Sequence, residues 1–140
     1  MKRAFAESER SHCIRSESRI GAVAVLNGKV VASGYNGVVG KIPLCQSLGF
    51  CVRQRLNVPS GTQREIAYCI CAEQRLICNA AREGVTFDGA EIYVTHLPCA
   101  VCIRLMIESG IARVFYKIEY NNQFTHELAK MAGFELIKMN

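Results

Sequence analysis

Cys99 and Cys102 stand three residues apart in Pro98-Cys99-Ala100-Val101-Cys102, and a third thiol opens the run Cys71-Ala72-Glu73. Two cysteines at this spacing, at a strand-to-helix junction, can point both sulfurs at one ion near the positive end of a helix dipole. Alone, such a pair suits a metal site, a redox couple or plain burial about equally. Cys71, at the opening of the preceding helix, supplies a third ligand, and three protein ligands leave one coordination position open. A catalytic zinc needs that opening, because a water held there has its pKa lowered to about 7 and becomes a usable nucleophile. Glu73 is not required as a ligand. Its carboxylate can take the proton of that water and deliver it to a substrate and then to a departing group. A glutamate in a first helical turn also simply favours the helix dipole, and only the company of three convergent thiols makes it a candidate proton carrier.

The elements that must hold these residues are legible from periodicity. Gly21 to Leu26 and Lys29 to Ser33 are β-prone runs separated by Asn27-Gly28, a hairpin signal because both residues tolerate positive φ. The glycine-rich stretch Gly34-Tyr35-Asn36-Gly37-Val38-Val39-Gly40 is predicted not to propagate a strand. A long connection follows, containing Cys45, Cys51 and the turn-like Val58-Pro59-Ser60-Gly61. Between Cys71 and Glu83, Ala72, Leu76, Ile77, Ala80 and Ala81 recur at helical spacing, with Gly84 placed to end the helix. Ala90 to Thr95 and Ala112 to Tyr116 read as strands, and Cys99 to Ser109 as a helix stopped by Gly110. A further helix from Phe124 to Ala132 and a strand from Phe134 to Ile137 complete the chain. Hairpin, then alternating helices and strands, predicts one α/β domain over residues 1 to 140, a mixed sheet covered by helices.

The chain has 140 residues, half of them apolar, and a formal charge of +5. That size suits one domain with a real core, and the charge allows an anionic ligand without demonstrating one, since acidic and basic residues interleave. No apolar stretch approaches the roughly 20 residues of a membrane span, and the first residues carry no hydrophobic signal core. A cytoplasmic protein without membrane contact is expected. Eight cysteines in such a protein point to metal ligands or buried thiols before disulfides.

The residues quoted so far, Cys-Ala-Glu followed by Pro-Cys-x-x-Cys, resemble the zinc-dependent cytidine and deoxycytidylate (dCMP) deaminase superfamily. The resemblance extends to Ser18-Arg19-Ile20-Gly21-Ala22-Val23, Gly34-Tyr35-Asn36-Gly37, Cys51-Val52-Arg53, Gly89 to Thr95 and Ser109 to Tyr116, and covers about residues 13 to 137. It implies a cytidine-deaminase-like three-layer domain with a five-stranded mixed sheet flanked by helices. It also implies hydrolytic deamination of a free pyrimidine nucleotide, dCMP to dUMP with release of ammonia. In that frame Cys71, Cys99 and Cys102 hold a catalytic zinc, Glu73 is catalytic, and Asn36 touches the sugar. Arg19, Lys117 and Tyr120 are candidates for the phosphate by their place in the resemblance. Homo-oligomers, hexameric or dimeric, and a nucleotide effector are further implications.

One departure concerns the metal, because dCMP deaminases usually have His where this chain has Cys71. A third thiolate makes zinc a weaker Lewis acid unless a nearby cation offsets it, and Arg64, Arg75 and Arg104 are unranked candidates. Free cytidine deaminases use Cys-Ala-Glu, so another free cytosine or related nucleobase compound is the alternative substrate. Nucleic-acid editing is disfavoured by the lack of a basic aromatic stripe, and a zinc-stabilised module without activity by the presence of Glu73. The resemblance further implies a second, structural zinc at Cys13, Cys45, Cys51 and Cys69, for which free or buried thiols are the equal alternative; Ala67 stands where related sequences often have Cys. Cys78 is expected to be buried in its helix. His96 is placed to line the pocket, His126 on the surface, and His12 on the surface or as a structural ligand.

Overall fold

Asn27 and Gly28 both adopt positive φ, 51° and 74°, and join β1 (Gly21–Leu26) to β2 (Lys29–Tyr35) as an antiparallel hairpin, as the Asn-Gly signal requires. The computed structural model describes residues 1–59, 62–120 and 123–140. Ser60 and Gly61, half of the expected Val-Pro-Ser-Gly turn, lie outside the described residues. The remaining strands of the main sheet are β5 (Glu91–His96), β6 (Arg113–Ile118) and β7 (Glu135–Lys138). The order is β2-β1-β5-β6-β7, with β1 antiparallel to β5 and the last three strands parallel. This is the expected five-stranded mixed sheet.

Alternation along the strands sorts the helices onto its two faces. Ala22 and Ala24 of β1 stand opposite Val94 and Ile92, which register with Tyr116 and Val114. All six are buried in one apolar cluster with Leu76 and Ala80 of α4 (Ala72–Glu83) and Ile103 and Met106 of α5 (Ala100–Glu108). The other face presents Val23, Tyr93 and Phe115 in one row, the two rings stacked at 4.8 Å, and is partly covered by α1 (Lys2–Glu9). This first helix escaped the sequence reading because only Ala4 and Ser8 of it are buried, too few to show a period. The last helix, α6 (Gln123–Met131), packs on α5 and β7.

Two expectations are corrected. The stretch from Gly34 does continue a strand: β2 runs through Gly34 to Tyr35, and Gly37–Val38 forms β3, paired antiparallel with β4 (Cys69–Ile70). Gly34 stays in the ladder because the helix α4 backbone, at Ala72 and Leu76, occupies the space a Cβ would need; the glycine permits close approach rather than a turn. Cys78 is exposed, not buried. Ala72, Leu76 and Ala80 define the buried stripe of α4, and a residue two positions from Leu76 points about 200° away from it at 3.6 residues per turn. Between β3 and β4 lie two short helices, α2 (Cys45–Leu48) and α3 (Val52–Arg55), and a 3-10 turn at Arg64–Ile66. No helix among the described residues is long and apolar enough to cross a membrane.

Candidate active site

Cys71 and Cys99 occupy the N-cap positions of α4 and α5, so the two helix N-termini converge on the thiols and their dipoles favour negative charge there. The Gln74 side chain reaches back so that its Oε1 accepts from the Cys71 backbone N–H at 2.9 Å. Pro98, just before the second cap, is tied by its carbonyl to the Thr125 hydroxyl of α6 at 3.1 Å. Arg75 fastens α4 to the β2–β3 bend by donating to the carbonyls of Tyr35, Gly37 and Val38 at 2.8–2.9 Å. Its guanidinium is therefore committed to the scaffold. Arg104 is exposed on α5.

Within this frame the Sγ atoms of Cys71, Cys99 and Cys102 all lie within 4.8 Å of one another, with Cys99 and Cys102 separated by 3.5 Å. A tetrahedral zinc with Zn–S bonds of about 2.3 Å spaces its sulfurs by roughly 3.8 Å, so the donor set fits zinc in kind and in spacing. Among the described residues no other group of three or more metal-ligating side chains comes this close, and Cys69, two residues before Cys71, stands apart from it. Cys99 and Cys102 are buried and Cys71 half-buried.

The charges of the cluster are strongly coupled. Hydrogen bonds from Cys102 and then Cys71 hold the Cys99 thiol well below its ordinary range, while hydrogen bonding to Cys71 and Cys99 and then burial push Cys102 up. Glu73 is 4% exposed. Burial first, and then the Cys99 thiolate, push its carboxyl up to about 7, with Arg64 and a Cys102 hydrogen bond pulling the other way. A carboxyl poised near neutrality can both accept and return a proton. Arg64 is the cation that reaches the cluster: its Nη1 donates to Cys71 Sγ at 3.1 Å.

Arg64 also lines an adjacent cavity together with Asn36, His96 and Tyr120. Asn36 braces this wall by accepting from the Ile20 N–H at 2.8 Å and donating to the Ser18 carbonyl at 2.7 Å. His96 closes β5, its Nδ1 2.9 Å from the Thr95 hydroxyl, and burial holds its pKa below the usual histidine value. The same cavity is lined by Cys13, Cys45, Cys51 and Cys69, and by His12, Arg15 and Arg53. Of the three residues proposed for phosphate from the sequence, Tyr120 lines the cavity. Arg19 instead donates from Nε to the Cys13 carbonyl at 3.2 Å, and Lys117 is exposed and outside the lining. Arg15 and Arg53 were missed as lining residues, because nothing in the local sequence around either arginine distinguishes a lining residue from a solvated one.

The sequence profile of the cytidine and deoxycytidylate deaminase zinc-binding region matches residues 1–118. The chain belongs to this family. Among its relatives, ComE operon protein 2 of Bacillus subtilis is 35% identical over 125 residues, covering 89% of this chain and 60% of that protein. Deoxycytidylate deaminase of Mycobacterium phage D29 is 37% identical over 120 residues, covering 83% of this chain and 89% of the phage protein. The crystal structure of dCMP deaminase from the cyanophage S-TIM5 superposes with a TM-score of 0.74 at 25% identity, covering 99% of this chain and 92% of that one. The chain thus spans about three-fifths of the length of the Bacillus relative and most of the phage one.

Proposed function

We propose that the chain is a zinc-dependent hydrolytic deaminase of a free pyrimidine nucleotide, converting dCMP to dUMP and ammonia. The observation that carries this reading is the buried Glu73 carboxylate against three mutually close thiols, beside a cavity rimmed by cations. Cys71, Cys99 and Cys102 would hold the zinc, and the bound metal would supply the Lewis acidity that makes water nucleophilic near neutral pH. Glu73 takes a proton from the attacking water, gives it to the ring nitrogen, and carries a further proton to the exocyclic amine as it leaves. One C–N bond is broken and one C–O bond formed. Asn36 keeps one amide hydrogen and one lone pair beyond those spent on the backbone, enough to meet a sugar hydroxyl. Tyr120 and Arg15 line the cavity and are the groups we assign to the phosphate, while the Arg19 Nε donates to the Cys13 carbonyl.

The test is an ammonia-release panel of dCMP, CMP, dCTP, deoxycytidine, cytosine, purine compounds and single-stranded DNA, with Glu73→Gln as the blank. Higher kcat/KM for dCMP than for deoxycytidine is expected, with part of the difference in kcat, because remote phosphate binding positions the ring. Preference for the nucleoside or a purine by more than tenfold would reassign the substrate within the same chemistry.

A second, structural zinc belongs to the same reading. It is supported by the convergence of Cys13, Cys45, Cys51 and Cys69 on one cavity. Burial and then the neighbouring thiols raise Cys45 and Cys69, which supports the reading. Assembly into a homo-oligomer, a nucleotide effector and a single domain over residues 1–140 are parts of this proposal that rest on the family resemblance.

A further inference from the structure

We propose that Arg75 is a positioning residue for the substrate sugar, holding the backbone on both sides of Asn36 and so presenting the Asn36 amide to the cavity that it lines. This rests on the reading of Asn36 as the group that meets a sugar hydroxyl. A deoxynucleotide with its phosphate on the 5′ oxygen offers one free hydroxyl, at the 3′ carbon. A single misplaced amide would therefore forfeit that contact entirely.

Asn36 stands in the gap between β2, which ends at Tyr35, and β3, which begins at Gly37. Arg75 closes that gap from α4: its Nε donates to the Tyr35 carbonyl at 2.8 Å, and its Nη2 to the carbonyls of Gly37 and Val38, both at 2.9 Å. Successive carbonyls of an extended strand point opposite ways, so one nitrogen serves both Gly37 and Val38 only because the chain bends there. The planar fork of a guanidinium can span these acceptors, whereas an ammonium is a point charge. None of the ion pairs among the described residues involves Arg75. Its charge is met by the carbonyl dipoles and by the Tyr35 ring, over which its Cζ stands at 4.8 Å. Gly37 leaves the fork room, since a Cβ there would come within 3.4 Å of Nη2. At its far end, the Asn36 side chain is held by the Ile20 N–H and the Ser18 carbonyl; Arg75 holds its root. Glu73 and Arg75 both belong to the first turn of α4 and, two residues apart, point about 200° away from each other. One rigid helix thus sets the separation between the proton carrier and the sugar contact, which is what placing a ring against a reacting group requires. An arginine kept for solubility would not spend three donors on the residues flanking one cavity side chain.

The test compares full-length, zinc-loaded parent and Arg75→Lys, which keeps the charge without the fork, on dCMP and on its dideoxy analogue, which lacks the 3′ hydroxyl. For dCMP, kcat/KM should fall by about 3- to 10-fold, the worth of one neutral hydrogen bond, mostly through KM. For the dideoxy nucleotide it should change by no more than about twofold, as should dCMP turnover when Arg75→Lys is added to Asn36→Ala. A role confined to stability would lower both nucleotides alike. Without substrate, the Asn36 side-chain amide should exchange with solvent at least about tenfold faster in Arg75→Lys, while the backbone amides of Ile92 and Val94 in β5 keep their protection. Equal losses on both nucleotides, no loss on dCMP, or unchanged exchange at Asn36 would overturn the proposal, as would failure of both Arg75→Lys and Arg75→Gln to fold. A loss for Asn36→Ala with none for Arg75→Lys sinks this proposal alone, and no loss for Asn36→Ala sinks the sugar reading of Asn36 and this proposal with it. Absence of ammonia from dCMP in the parent is the separate failure of the substrate assignment, and the exchange measurement then still decides whether Arg75 holds Asn36.

Discussion

Two groups of cysteines face this region of the molecule, and they are built differently. Cys71, Cys99 and Cys102 sit on the first turns of α4 and α5, helices whose inner faces are part of the main core. Cys13, Cys45, Cys51 and Cys69 come from loops, a four-residue helix and a two-residue strand. The first group reaches ligand spacing, all sulfurs within 4.8 Å, and the second shares a cavity without such a set among the described residues. A helix cap fixes both position and direction of a side chain, whereas a loop cysteine is placed only as well as the loop is packed. The helix-borne thiols thus stand at ligand spacing on the caps of core helices, whereas the loop-borne thiols share a cavity at wider spacing.

The largest effect that would sharpen this contrast is at Glu73. Glu73→Gln should keep fold and zinc while lowering deamination by about 100- to 10,000-fold, the usual worth of a positioned proton carrier, as read by ammonia release with metal analysis on the same sample. Retention of more than a tenth of the activity would remove Glu73 from that role. Next comes the cysteines themselves: Cys102→Ser should abolish activity and release the catalytic ion, whereas Cys45→Ser should leave that ion in place. If the loop site is real, the parent carries about two zinc ions per chain and Cys45→Ser loses one and melts at lower temperature, since structural metal binding is folding energy. A firm stoichiometry of one would leave the loop cysteines as thiols. The smallest effect is at Cys78. Exposed on the outer face of α4, it should accept Ser with a change in stability within about 0.5 kcal/mol, and a larger loss in a thermal melt would show that this face is covered in solution.

Much of the site was legible because its grammar is local. The Asn-Gly hairpin, the helical spacing after Cys71 and the Pro-Cys-x-x-Cys junction each depend on a few neighbouring residues and on backbone preferences that hold in any context. What failed was equally specific. Gly34 looks like a breaker in sequence, and only the approach of α4 shows that its missing side chain leaves room for the helix backbone. Cys78 was assigned to the core by its type when the helical period already placed it outside.

By itself, the sequence determined which side chains stand at the two helix openings and that a carboxylate lies two residues from one thiol, since those relations are set by covalent spacing and the helix repeat. Tertiary structure alone decided which of three arginines reaches the thiol cluster. Arg64, Arg75 and Arg104 are indistinguishable as residue types, and their positions diverge because one hydrogen-bonds Cys71, one is spent on the β2–β3 carbonyls and one faces water. Electrostatic roles depend on distances between segments far apart in the chain, and only the packing of the sheet and its helices sets those distances.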